Sequence, residues 1–360
     1  MTAIAIDARM VQSSGIGTVI ANVSRRLIAE NADWKFVLAG DAHVLRGMGW
    51  TDAENVEIRP FNAPLYSVRE LLGFPCADCD VTWSPNYNIP LRLGHKLMVT
   101  IHDAAHLVLP EMQSAAKRLY ARIMFSRVRR RADAIIYVSR FTQAEFHRLV
   151  GIPKGREFVV RGGVDESWFD IPYGAPPARP YILFVGNVKP HKNLSRLLDA
   201  FDRVRGELPH DLLIAGRKDG FIISDRAVLA RIGEFGGRVA FTGHLPDLVL
   251  KQLYAGADTL VLPSLYEGFG LPPVEAMAAG CPVLVSRAAA LPEVCQDAAL
   301  YCDPLDVSDM AAQLKRILSD KELRQSLRQR GLDRARALTW DSCVQGYETA
   351  IRDLLAMPAS

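Results

Sequence analysis

Short apolar runs alternate with longer amphipathic stretches from one end of the chain to the other. In the first half these runs are "AIAID", "KFVLAG", "NVEIRP", "DVTWS", "KLMVTI", "DAIIYVS" and "EFVVRGG". In the second half they are "YILFVGN", "DLLIAG", "RVAFTG", "DTLVLPS", "CPVLVS" and "ALYCD". Most are continuously apolar and too short for a helix, and helical spacing fills most of the intervals between them. Buried strands separated by helices predict parallel sheets covered on both faces. The rhythm breaks at 166–180, "ESWFDIPYGAPPARP", where four prolines and a glycine oppose regular structure. It reads as a linker between two α/β domains, residues 1–168 and 169–340. The tail, 341–360, has helical spacing and no strand after it, which predicts a helix packed back on the first domain. Two doubly wound domains joined by a linker would face each other across a cleft. Ligands of such sheets bind outside the carboxyl ends of the strands, so those ends are the places to look for chemistry.

Four strand ends carry suggestive residues. After "IAID", Gly15 and Gly17 stand where the chain turns into a helix. Free amides there can hold a phosphate or sugar oxygen, although a tight strand-to-helix turn would also need glycine. After "LMVTI" come His102 and Asp103. A histidine can hydrogen-bond a substrate hydroxyl or stabilise developing charge; Asp103 can equally be a helix cap. After "YILFVGN" come Lys189 and Lys192, at a helix start where the dipole disfavours cations unless an anion lies between. After "DTLVLP" comes "LYEGFGLPPVE", with Glu267 and Glu275 around a glycine turn. Pro272 and Pro273 suit a first helical turn, which places Glu275 in that turn. Carboxylate acceptors beside the amides of Phe269, Gly270 and Leu271 suit a polyhydroxylated ligand, whose hydroxyls both donate and accept.

Charge and composition narrow the classes. Lys and Arg number 43 against 40 Asp and Glu, a net +3 that argues against a dedicated DNA-binding protein. No apolar run approaches the ~20 residues of a membrane span, and the N-terminus lacks a signal-like pattern; a soluble cytoplasmic chain is expected. Among six cysteines only Cys76 and Cys79 form a CxxC, without a second ligand pair for zinc. They read as ordinary reduced thiols. No acidic pair at a strand end stands out as a metal site.

The ordered series "DARMVQSSGIGTVIANV", "TIHD", "VSRFTQAEF", "GGVD", "VGNVKPHKN", "IAGRKDGF" and "PSLYEGFGLPPVEAMAAGCPVLVS" resembles the retaining glycosyltransferases of family GT4, which have the GT-B fold of two Rossmann-like domains. The resemblance covers almost the whole chain and leans toward the mannosyltransferase branch of polysaccharide and lipopolysaccharide (O-antigen-type) assembly. It implies a nucleotide-diphosphate sugar as donor, GDP-mannose first and a UDP-sugar second. It implies a glycan or lipid-linked oligosaccharide as acceptor, and no cofactor or metal. Glu275 would bind the ribose hydroxyls, Glu267 the donor sugar, and Lys192 the diphosphate, helped by the Gly15–Gly17 loop. Phe269, Gly270 and Leu271 would hold sugar or phosphate through their amides, and His102 would lie near the reacting side of the sugar. The family commonly carries an arginine before the motif lysine; here His191 precedes Lys192, leaving Lys189 or Arg217 as the second cation. A sugar-nucleotide epimerase and a non-catalytic nucleotide-sugar-binding module are the competing readings.

The segment 117–131, "KRLYARIMFSRVRRR", holds seven cations and no acids. Helical spacing puts Tyr120, Ile123, Met124 and Val128 on one face. The segment reads either as a domain helix with a solvated basic face or as a surface for the inner membrane or a lipid diphosphate.

Overall fold

The computed structural model describes residues 1–358 except 92, 94, 110–113, 173, 175–177, 217–227, 229 and 244. Seven strands lie in the first half: β1 (Thr2–Asp7), β2 (Trp34–Gly40), β3 (Val56–Pro60), β4 (Val81–Ser84), β5 (Lys96–Ile101), β6 (Ala134–Tyr137) and β7 (Arg156–Val159). Six follow: β8 (Tyr181–Val185), β9 (Asp211–Ala215), β10 (Val239–Gly243), β11 (Thr259–Leu262), β12 (Val283–Ser286) and β13 (Ala299–Cys302). Every apolar run named above is a strand. All pairings within the two sheets are parallel, in the orders β3-β2-β1-β4-β5-β6-β7 and β10-β9-β8-β11-β12-β13. The strands read as unbroken apolar runs because both faces are covered: every residue of β4, β6, β11 and β12 is buried.

The chain divides into two compact units, Met1–Gly162 with Trp340–Ser360, and Gly163–Thr339. Residues 163–168, assigned above to the first domain, therefore cluster with the second. The start of the stretch read as a linker packs on that unit. Glu166–Trp168 forms a helical turn, and Trp168 packs edge-on against Tyr254 at 5.3 Å. The helix Trp340–Ala356 belongs to the first unit. Its Tyr347 meets Trp83 at 4.9 Å, and both Tyr347 and Trp83 hydrogen-bond the Thr100 hydroxyl under the sheet.

The basic segment forms the helix Ala115–Arg131, but its faces differ from the spacing argument. Ala121, Met124, Phe125 and Val128 are buried, while Ile123 is exposed. Short apolar steps fix the stripe only to within a residue or so, and Phe125 decides it by stacking on Tyr87 at 4.5 Å. Arg127 donates to the carbonyls of Pro90 and Leu91 and Arg130 to that of Ser126, while the Arg129 stem lies beside Gly151. No helix among the described residues is long and apolar enough to cross a membrane. All six cysteines are free and buried, Cys76 and Cys79 included.

Candidate active site

Strand order locates the crevice in each unit. In the second sheet the order reverses between β8 and β11, so the loops leaving these two strands diverge and open a crevice at their carboxyl ends. The loop after β8 carries Lys192 and the loop after β11 carries Glu267. Lys192 Nζ lies 2.6 Å from Glu267 Oε1, and the Ser264 hydroxyl donates to the same oxygen at 2.6 Å. The two side chains are 16 and 11 % exposed, so the ion pair is shielded yet reachable. Burial alone would raise the Glu267 pKa; the charge and hydrogen bond of Lys192, with Ser264, override it and hold the carboxyl below its ordinary value. Glu267 is thus a carboxylate, and it fixes the lysine at the crevice.

Asn193 locks these two loops together. Its backbone is left-handed, at φ 61°, which asparagine tolerates better than most residues. From there its buried side chain donates to the carbonyls of Pro263 and Pro304 at 3.0 and 2.7 Å. The Leu265 amide adds a bond to the His191 carbonyl at 2.7 Å. The sequence offered only "HKN" before a helix as a signal for this lock. Lys189 is exposed at the outer end of the same loop. Arg217 lies outside the described residues.

Gly270, at φ 94°, caps the helix Leu271–Ala278, with the prolines at its start. The left-handed backbone demands glycine here, and a Cβ on Gly270 would also push the Leu291 methyl, 2.8 Å away. Phe269 and Gly270 are buried and Leu271 is half-buried. Their amides sit at the helix end, where N–H groups lack intrahelical acceptors. Glu275 is the fifth helical residue rather than a first-turn one, because the helix begins at Leu271. Its partner is the Tyr254 hydroxyl, donating at 2.8 Å from the helix Asp247–Gly256. Burial pushes the Glu275 carboxyl up to about 7, against the lowering effect of that hydrogen bond.

The first sheet reverses between β1 and β4. Arg9, after β1, pairs with Asp7 and with Glu70, the latter at 2.8 Å; Asn88, after β4, donates to Glu70. Glu70 is 1 % exposed. This network was not anticipated, since nothing in "VRELL" marks Glu70 as a crevice residue. His102 follows β5. Its Nε2 lies 2.9 Å from the Pro85 carbonyl and must therefore carry the proton and donate. Burial holds its pKa below the ordinary value, so the ring is neutral and Nδ1 offers a lone pair. A neutral ring so oriented can accept a hydrogen bond from a hydroxyl. Asp103 is not the cap expected of it, since Ala104 stands at the N-cap of the short helix Ala105–Val108; it accepts the Ala105 amide at 2.9 Å in a local turn. Gly15 and Gly17 lie in the helix Ser14–Glu30. A Cβ on Gly17 would stand 2.4 Å from the Val11 carbonyl, whereas one on Gly15 would meet nothing within 4 Å.

Two doubly wound parallel sheets, each with polar residues gathered at its switch point, define the GT-B class of fold. Family models agree: residues 13–168 match Glycosyltransferase Family 4 and residues 169–334 match Glycosyl transferases group 1. O-antigen chain mannosyltransferase B of Escherichia coli is 32% identical over 272 residues, covering 72% of this chain and 70% of that protein. The MMP alpha-(1->4)-mannosyltransferase of Mycolicibacterium hassiacum is 32% identical over 286 residues, 74% of this chain and 68% of that one. The crystal structure of Anabaena HepE in complex with UDP and glucose superposes with a TM-score of 0.76 at 17% identity, covering 98% of this chain and 100% of that chain. The chain belongs to the GT4-type glycosyltransferase family.

Proposed function

We propose that the protein moves a hexose, mannose in the first instance, from a nucleotide-diphosphate sugar to a glycan or lipid-linked oligosaccharide, with retention of anomeric configuration and without a metal ion. The observation that carries this reading is the Lys192–Glu267 pair in the β8/β11 crevice, beside the amide-rich start of the helix Leu271–Ala278. The mannosyltransferase relatives at 32% identity support mannose, and hence GDP-mannose as donor. A UDP-sugar is the second donor to test.

Breaking the bond between the sugar C1 and the diphosphate oxygen leaves charge on the diphosphate. A lysine held in place by a carboxylate, together with helix-end amides, is suited to take up that charge without reorganising. Glu267, ionised and already oriented, can accept hydroxyls of the donor sugar while holding the lysine. In the retaining mechanism, the acceptor hydroxyl attacks C1 from the face that the diphosphate leaves. Its proton passes to the departing diphosphate oxygen, so the protein supplies no separate base. Glu275 accepts the ribose hydroxyls, and the neutral His102 can accept a ligand hydroxyl through Nδ1. The open space at Gly15 leaves room for a phosphate or sugar near the start of its helix.

The test is a thermal-shift screen of nucleotide sugars, in which a ligand that binds the native state raises the melting point as its concentration exceeds Kd. GDP-mannose is expected to shift the midpoint, and Lys192→Met and Glu275→Ala to abolish or reduce the shift. No shift with any nucleotide sugar or nucleoside diphosphate refutes the reading.

A further inference from the structure

The amino ends of β4, β5 and β6 border a cavity of about 780 Å³, within the span of small-molecule sites. It lies at the end of the first sheet opposite to the carboxyl-end residues Asn88 and His102. Its walls are tied down. Arg127 holds the Pro90 and Leu91 carbonyls, and both residues line the cavity. Lys96 donates to the Met357 carbonyl at 2.6 Å and so anchors the end of the last helix, whose Leu355 also lines it.

The polar lining divides by strand. Asp78 and Asp80 precede β4; Arg130, Arg131 and Asp133 precede β6. Each acid already has a structural donor: Arg59 for Asp78, and the Ala3 and Leu97 amides, both at 2.8 Å, for Asp80 and Asp133. Each keeps lone pairs for a ligand hydroxyl. The two arginines have no acidic partner among the described residues. His95 precedes β5, the strand between the other two, and lines the cavity. Its Nε2 lies 2.6 Å from the buried Thr82 hydroxyl, while its Nδ1 is buried with no partner among the described residues. A buried polar atom in that state calls for a partner. Burial holds the ring below its ordinary pKa, so it is neutral. With the Thr82 hydroxyl donating to Nε2, Nδ1 carries the proton and can donate. Two guanidinium groups and this N–H offer more donors than the two oxygens of a carboxylate take up, and they match the three terminal oxygens of a phosphate monoester.

We propose that this cavity binds a soluble sugar phosphate, with the phosphate at Arg130, Arg131 and His95 Nδ1 and the sugar hydroxyls toward Asp78 and Asp80. The site goes beyond the transfer reading and does not depend on it. It is linked to the crevice by one strand, since β5 runs from Lys96 in the cavity to Ile101, and His102 follows.

The test is calorimetric titration of the full chain with mannose 6-phosphate, inorganic phosphate and mannose as separate probes. Mannose 6-phosphate binds about tenfold more tightly than inorganic phosphate, and mannose alone gives no measurable heat. Arg130→Ser with Arg131→Ser weakens mannose 6-phosphate about 100-fold, each charge-assisted hydrogen bond contributing about tenfold. Both side chains are exposed, so this variant keeps the wild-type melting point and the GDP-mannose shift. His95→Phe, which removes the buried Nδ1, weakens the sugar phosphate about tenfold. Lys192→Met and saturating GDP leave the titration unchanged. Absence of mannose 6-phosphate binding overturns the proposal, as does binding that the arginine pair does not weaken. Displacement by GDP, or loss in Lys192→Met, places the probe in the β8/β11 crevice and overturns it too. Inorganic phosphate binding as tightly as mannose 6-phosphate overturns the sugar-phosphate class. A failed GDP-mannose shift beside an intact mannose 6-phosphate titration refutes the transfer reading and supports this site.

Discussion

Replacing Lys192 by Met and Glu267 by Gln, singly and together, isolates the ion pair on which the proposed chemistry turns. The lysine and carboxylate are 2.6 Å apart and 16 and 11 % exposed, well short of a solvated surface pair. A charged hydrogen bond in such a position contributes about 1.5–3 kcal/mol, against about 0–1 for an exposed one. Lys192→Met leaves Glu267 with the Ser264 hydroxyl as a donor and with a burial cost that the lysine no longer offsets. A loss of about 2–3 kcal/mol is expected, or roughly 5–10 °C in the melting of a unit this size. Glu267→Gln in that background removes the stranded charge and recovers part of the loss. The coupling energy should be about 2 kcal/mol by double-mutant cycle. Calorimetry with GDP adds a test of opposite sign. Glu267→Gln frees the lysine from its carboxylate, so GDP affinity is maintained or rises severalfold while sugar transfer falls. Lys192→Met loses both. Additive stabilities, within about 0.5 kcal/mol, or a parallel loss of GDP affinity in both single variants, would refute the shared-lysine account.

Glu275 gives a pH signature. Its carboxyl, raised from the ordinary value to about 7, is protonated in the folded protein at a pH where the unfolded chain is ionised. Stability from this group is present below the ordinary carboxylate range and is lost as pH rises toward about 7, a penalty on the order of 3 kcal/mol. Glu275→Gln should therefore raise the melting point of the ligand-free protein at pH 8 but not at pH 5. If ribose hydroxyls donate to the ionised form, GDP-mannose affinity rises about tenfold from pH 6 to pH 8 and goes flat in Glu275→Gln, as read by calorimetry. Gly17→Ala, whose Cβ would meet the Val11 carbonyl, should cost about 1–3 kcal/mol by denaturant unfolding. Gly15→Ala should be neutral or stabilising by about 0.5–1 kcal/mol, yet lower transfer if a ligand occupies that space. His102, neutral through burial, favours folding above its ordinary pKa; that contribution declines as pH falls below about 6.5, and His102→Gln should remove this part of the acid limb of stability.

The strands were readable in the sequence because a strand buried on both faces has no polar positions to interrupt it. "AIIY" and "TLVL" are fully buried and could hardly be surface structure. The switch-point crevices followed less directly, since strand order depends on pairing that no local pattern records. Lys192 and Glu267 were both picked out, but their contact spans 75 residues of chain and needed the β8–β11 pairing to appear. Glu275 was found by its spacing, while the helix start was misjudged by a residue and Tyr254 was invisible as its partner. The Asn193 lock and the Arg9–Glu70 network escaped for the same reason: each acts through tertiary contacts that leave no periodic trace. The outward face of the helix Ala115–Arg131 was misassigned because the Phe125–Tyr87 stack, rather than hydrophobicity alone, sets its rotation.

The central claim meets its most direct test in the product itself. GDP-mannose carrying 13C at C1 should be incubated with the protein, chelator and a membrane extract containing lipid-linked oligosaccharide, and the new glycosidic carbon read by NMR. The account predicts GDP release matched by a mannosyl product whose C1 keeps the donor's α configuration, with neither product formed by the Lys192→Met protein. An inverted C1, an absolute requirement for added divalent metal, or turnover of a nucleotide sugar with no acceptor modified would contradict it.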